Sequence, residues 1–128
     1  MTGYRVGSAL LRVFLGITFF IHGLQKFQGG IENTVAFFES VGFPGFSAYV
    51  VATIELIGGI LMVLGVGTRI IAALFFFVLA GAILKVKLSA GFVGGYEVDL
   101  ALLVMAVHLA IVKNTAYSLE NLWAKKEK

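Results

Sequence analysis

Residues 6–27 read VGSALLRVFLGITFFIHGLQKF. Up to Leu24 the stretch holds one charged residue, Arg12, and it closes on two nitrogen bases four residues apart, His22 and Lys26. A helix rises about 1.5 Å per residue, so a run of this length matches the roughly 30 Å hydrocarbon core of a bilayer. Why such a helix should end on two bases depends on what surrounds it.

Composition answers the first part. Of 128 residues, 59% are hydrophobic and 13% charged, with a single Pro, and the mean hydropathy is +0.98. A soluble domain carries about a quarter charged residues. This chain lacks the polar residues to cover an aqueous surface, so lipid is its solvent. There is no cysteine, which excludes thiol chemistry, iron–sulfur clusters and Cys-ligated metals. Much of the net charge of +3 lies in the tail AKKEK, residues 124–128. No basic patch with interleaved aromatics accompanies it, so nucleic-acid binding is not expected.

Three further segments resemble the first, so spans are predicted over residues 6–24, 48–64, 70–84 and 92–112. The first run lacks a small-residue cleavage site and is followed by three more spans, unlike a secretion signal. Between the first two spans, IENTVAFFES places Ile31, Val35 and Phe38 at helical spacing. This predicts a short amphipathic helix at the interface, stopped by VGFPG. GVGT is a tight turn between antiparallel neighbours. Tyr117 and Trp123 read as interfacial anchors before a lysine-rich tail, residues 113–128. The expected fold is all-α: one integral membrane domain of four spans with a short amphipathic helix in the first loop.

With four spans, both termini share a side with the loop carrying Arg69. That side collects Arg5, Arg69, Lys113, Lys125, Lys126 and Lys128, against Lys26, Lys85 and Lys87 on the other. The positive-inside rule then places both termini in the cytoplasm.

An ionisable group within lipid costs roughly 2.5–3.5 kcal/mol on insertion scales, so each needs a reason. Arg12 lies about two turns into the first span and Glu55 a similar distance into the second. Glu97 and Asp99 open the fourth, and His108 lies deeper in it. Because alternate spans run in opposite directions, His22 and Lys26 finish at the level where Glu55, Glu97 and Asp99 begin. Helical phase puts Arg12, Gly16, Phe19, Gly23 and Lys26 on one stripe, and Glu55, Gly58, Gly59 and Met62 on another. A third stripe holds Glu97, Ala101, Met105 and His108. Polar groups mixed with small residues suit helix–helix contact.

Structural roles compete with functional ones. Arg12 and Glu55 could form a buried ion pair that fixes register. Lys85 and Lys87 read as snorkelling lysines, and His108 as a hydrogen-bonded core histidine. No HxxxH or ExxH pattern occurs, so no metal site is predicted. The paired glycines follow no strand and lack phosphate-loop spacing.

The ordered motifs resemble the DoxX family of small membrane proteins. They are R-x-x-L-G-x-x-F at Arg12, Leu15, Gly16 and Phe19, then H-G-x-x-K at His22, Gly23 and Lys26. Next come Phe38, Gly42, Phe43 and Pro44, then E-x-x-G-G at Glu55, Gly58 and Gly59. Gly65, Thr68 and Arg69 follow, then Gly94, Gly95 and Glu97, and finally Ser118 and Leu119. The likeness spans nearly the whole chain. VKNTAYSLEN departs from the glycine-rich turn that similar proteins place after the fourth span.

The resemblance implies a four-helix protein of the bacterial or archaeal cytoplasmic membrane, in a family generally named as oxidoreductases. Some members look like the membrane subunit of thiosulfate:quinone oxidoreductase, and others act with partners in thiol and oxidative-stress defence. The family carries no agreed catalytic residues.

Three readings stay open. In a redox subunit, His22, Lys26, Glu55 and Glu97 are the candidate catalytic residues. Arg12, His22, Lys26 and Glu55 are the candidate ligand contacts. The ligand would be a quinone held in the membrane, since its carbonyl oxygens need proton donors and a nearby cation. The chain has no flavin or haem motif, so a soluble or membrane partner must supply the electrons. A transporter for protons or a small solute would use the same cluster, in a homo-oligomer. An anchor for a soluble enzyme would use the charges only for helix pairing.

Overall fold

The computed structural model describes residues 2–112. Lys113, Tyr117, Ser118, Leu119, Trp123 and the basic tail lie outside the described residues. Five α-helices follow in order: α1 (Thr2–Gln28), α2 (Ile31–Ser40), α3 (Phe46–Leu64), α4 (Thr68–Ala82) and α5 (Glu97–Ile111). Among the described residues, four helical stretches are long and apolar enough to cross a membrane: Gly3–Gln28, Phe46–Leu64, Thr68–Ala90 and Phe92–Ile111. The protein is an all-α, multi-pass membrane bundle.

Small residues set the packing. A Cβ at Gly23 would stand 2.5 Å from the Leu56 amide nitrogen, and one at Gly59 would stand 2.6 Å from the Gly16 carbonyl oxygen. The α1 and α3 backbones therefore touch along a glycine seam, as lipid-embedded helices do where no hydrophobic drive exists between them. Gly58 opens a matching gap for Phe75 of α4. Phe75 lies flat on Phe19 of α1, with ring centroids 3.8 Å apart. Leu15, Phe19, Met62, Phe75, Leu102 and Leu109 form the buried centre. α5 packs mainly on α4 and closes the ring against α1.

Outside this core the spans present apolar side chains. Leu10, Ile17, Ile21, Ile57, Ile60, Ile70, Phe77 and Val104 are all exposed. In water such a surface is untenable, whereas in lipid it is the expected outer face. No residue of α2 is buried. It lies against α3 and α1, tied at its start by Asn33 Nδ2 donating to the Gly29 carbonyl at 3.0 Å. At its end the chain folds back so that Phe38 meets Phe43, centroids 5.9 Å apart.

Three expectations are corrected. The third span does not stop at residue 84. It continues from α4 through a π-helical turn, Ile83–Lys87, and a short 3-10 turn, Leu88–Ala90. The fourth span is not one straight helix from residue 92. Val93 (φ −74°, ψ 121°) and Gly94 (φ 76°) break it before α5 starts, and the left-handed backbone at Gly94 is open to glycine at little cost. Nor does α5 turn the predicted stripe inward. Asp99, Leu102, Ala106 and Leu109 are buried, whereas Ala101 is exposed and Glu97, Met105 and His108 are only half-buried.

Candidate functional site

At the end of the bundle that α2 covers, three sequence candidates converge. Lys26 and Glu55 form an ion pair, Nζ to Oε1 2.6 Å, and His22 lines the same cavity beside them. The local sequence explains the meeting. Lys26 sits in the last turn of α1, where a cation complements the carbonyl end of the helix. Glu55 lies on the buried face of α3, level with the Gly23–Leu56 contact. A glycine at 23 lets the α3 backbone come close enough for the two side chains to bridge.

The cavity holds about 730 Å³. Its polar wall is His22, Lys26, Glu55, Lys87 and Asp99; its remaining wall is largely apolar, with Phe19, Phe37, Phe38, Phe43, Phe46 and Phe77 among the lining residues. Phe46, Val50, Leu74 and Phe77 on α3 and α4 also belong to the exposed outer surface. The cavity therefore opens sideways between α3 and α4, toward hydrocarbon. Its inner end is stopped by the stacked Phe19–Phe75 pair with Leu15 and Met62, all buried.

Two predicted residues lie elsewhere. Arg12 is buried but sits ~16 Å below Gly23 along α1, so register keeps it from Glu55 and from the cavity. The structure thus replaces the expected Arg12–Glu55 pair with Lys26–Glu55. Glu97 does not line the cavity either. Its carboxylate accepts a hydrogen bond from the Gly94 amide at 3.2 Å, so it closes the turn ahead of α5. His108 is hydrogen-bonded to Ser8 Oγ at 2.9 Å, near the other end of the bundle.

Two cavity residues were not among the sequence candidates. Asp99 is buried and pairs with Lys87, Nζ to Oδ1 3.3 Å. Lys87 reaches Asp99 because the π-helical turn carries the third span past residue 84. The sequence signal was the pair of polar residues flanking the glycine-rich break at residues 91–95. Among the described residues, no three His, Asp or Glu side chains gather as a metal site would require.

The model of the DoxX family matches residues 7–88. The chain belongs to the DoxX family. "Putative oxidoreductase CatD" of Bacillus subtilis is 50% identical over 117 residues, covering 91% of this chain and 87% of that protein. A membrane protein of Mycobacterium tuberculosis, named as uncharacterized, is 33% identical over 88 residues, or 67% of this chain. This chain spans 54% of that protein's length. No solved structure matches. The matched DoxX segment contains His22, Lys26, Glu55 and Lys87 and ends before Asp99, so the second ion pair joins that segment to the helix beyond it.

Proposed function

We propose that this DoxX protein is the membrane subunit of a redox complex and binds a lipid-soluble quinone in the cavity under α2. The observation that carries the reading is the Lys26–Glu55 ion pair, its carboxylate buried and its ammonium half-buried, on the wall of an apolar cavity open to lipid. The residues fit such a group. Phe19, Phe38 and Phe77 offer flat apolar contact for a ring, and Lys26 and His22 offer donors for its oxygens. When bound, a quinone accepts electrons and protons at its two oxygens. Lys26 would hold an oxygen by a charge-assisted hydrogen bond, and Glu55 would keep the ammonium oriented. A soluble or membrane partner of electron-carrying chemistry supplies the electrons.

The protein would lie in the cytoplasmic membrane as a single domain, with both termini in the cytoplasm. Arg5 and Arg69 at the terminal side support that orientation. Transport is less well supported, because a path across the bundle would have to pass the packed Leu15, Phe19, Met62 and Phe75 layer.

Native mass spectrometry of the protein, gently solubilised from its own membrane, tests the reading. A co-purified quinone is expected, together with a flavin- or metal-bearing partner, and Glu55→Gln should abolish the quinone while leaving the fold intact. A protein carrying only phospholipid and binding no added quinone in nanodiscs would sink it.

A further inference from the structure

A second, smaller cavity of about 270 Å³ lies at the α1–α2 corner. It is lined by His22, Gln25, Lys26, Asn33 and Thr34 and floored by the Gly29–Gly30 turn. Gln25, Gly29 and Asn33 are exposed, so this cavity meets the surface at the polar end of the bundle. Its lining offers donors and acceptors to several waters, the condition for a cavity to be wet. His22, Lys26, Asn33 and Thr34 also line the larger cavity. One side of this wall is polar and open to water, and the other is apolar and open to lipid.

We infer that the smaller cavity is an aqueous vestibule that exchanges protons between the α2 side of the membrane and the Lys26–Glu55 pair. The other approaches to that pair are unsuitable for a proton. Phe46, Val50, Leu74 and Phe77 frame the opening between α3 and α4, where hydrocarbon carries no charge. Toward the N-terminal end, Phe19 stacked on Phe75 seals the core. His22 borders both spaces, and a neutral imidazole accepts a proton at one ring nitrogen while releasing another from the opposite one. The charged groups facing the larger cavity are Lys26 from α1, Glu55 from α3, Lys87 beyond α4 and Asp99 from α5. Lys87 and Asp99 pair with each other, which leaves His22 and Lys26 at the wall shared with the vestibule and Glu55 on the cavity side, paired with Lys26. Lys26 gives a proton to the cavity and is reprotonated from water on the α2 side through His22; the reverse path releases one to the same side. His22 acts here as a proton relay.

This inference rests on the proposed quinone site, and two measurements separate their failures. The chain has no cysteine, so single variants report access without further engineering. In nanodiscs, Gln25→Cys and Thr34→Cys should react with a charged, membrane-impermeant thiol reagent, whereas Phe46→Cys and Phe77→Cys should not. In the second measurement, added quinone is reduced to quinol by two equivalents of methyl viologen radical, a donor that releases electrons without protons, and uptake of the two protons is followed with a pH dye. Gln25→Trp, which fills the vestibule alone, and His22→Gln should each slow uptake by about tenfold or more. Quinone affinity should be unchanged in Gln25→Trp. Loss of quinone binding in the unaltered protein would remove the redox reading while the labelling still decides the vestibule. Unreactive Gln25→Cys and Thr34→Cys, or wild-type uptake in Gln25→Trp, would overturn the inference.

Discussion

Lys26 Nζ and Glu55 Oε1 stand 2.6 Å apart, yet their side chains have unequal access to water: 23% of Lys26 is exposed against 8% of Glu55. Losing either partner therefore leaves a different remnant. Lys26→Met strands a carboxylate in a buried site, which costs about 3 kcal/mol, the low end for a broken buried pair. Glu55→Gln leaves a lysine that can turn to the vestibule, so the loss should be smaller. The double variant should recover most of the stability lost in Lys26→Met. Thermal unfolding in one detergent checks all three, and equal losses in both single variants would contradict the asymmetry.

The glycine seam makes a steric prediction. Gly23→Ala would place a Cβ 2.5 Å from a backbone nitrogen, so α1 and α3 must separate, at about 3 kcal/mol or more. Gly7→Ala on the same helix meets nothing within 4 Å and should be neutral or slightly stabilising. Comparing the two in the same unfolding assay separates close packing from helix propensity.

Glu97 should behave as a turn-closing residue and not as part of the cavity. Glu97→Ala removes the acceptor for the Gly94 amide and should cost about 1 kcal/mol, the usual net value of one hydrogen bond. Quinone affinity should not change. A fall in affinity with stability intact would return Glu97 to the binding site.

Phe75 is buried against Phe19. Phe75→Ala should cost about 3–5 kcal/mol, as large aromatic truncations in cores do. The space left would join the cavity to the N-terminal half of the bundle. Proteoliposomes bearing the variant should leak protons faster than those bearing the unaltered protein, and equal leak rates would show that another layer makes the seal.

The spans were legible because lipid demands a simple pattern, an apolar run of sufficient length. The Lys26–Glu55 level was legible too, since antiparallel helices of similar length bring the end of one beside the start of the next. What failed was rotational phase in the fourth span. Glu97 and Asp99 lie two residues apart, and α5 is apolar on all sides, so periodicity could not choose between them. The break at Val93 and Gly94 makes that choice, through backbone angles that composition does not reveal. Lys87 was misjudged for a related reason: a lysine after an apolar run looks like a helix end, whereas the helical backbone runs on to Ala90. Arg12 was mis-paired because register between α1 and α3 is set by Gly16, Gly23 and Gly59, and only their contacts fix it.

The backbone contact between α1 and α3 also divides the molecule mechanically. Two helices that interlock without intervening side chains have no slack to slide or tilt, so they behave as a single stiff post carrying Lys26 and Glu55 at a constant separation. Yielding is left to the parts built on looser joints: α2, strung between two turns, and the third and fourth spans, which meet at the irregular bend between Ile83 and Tyr96. Spin labels across α1 and α3 should report one narrow distance, while labels from α1 to α2 or to the bend should report a broad one.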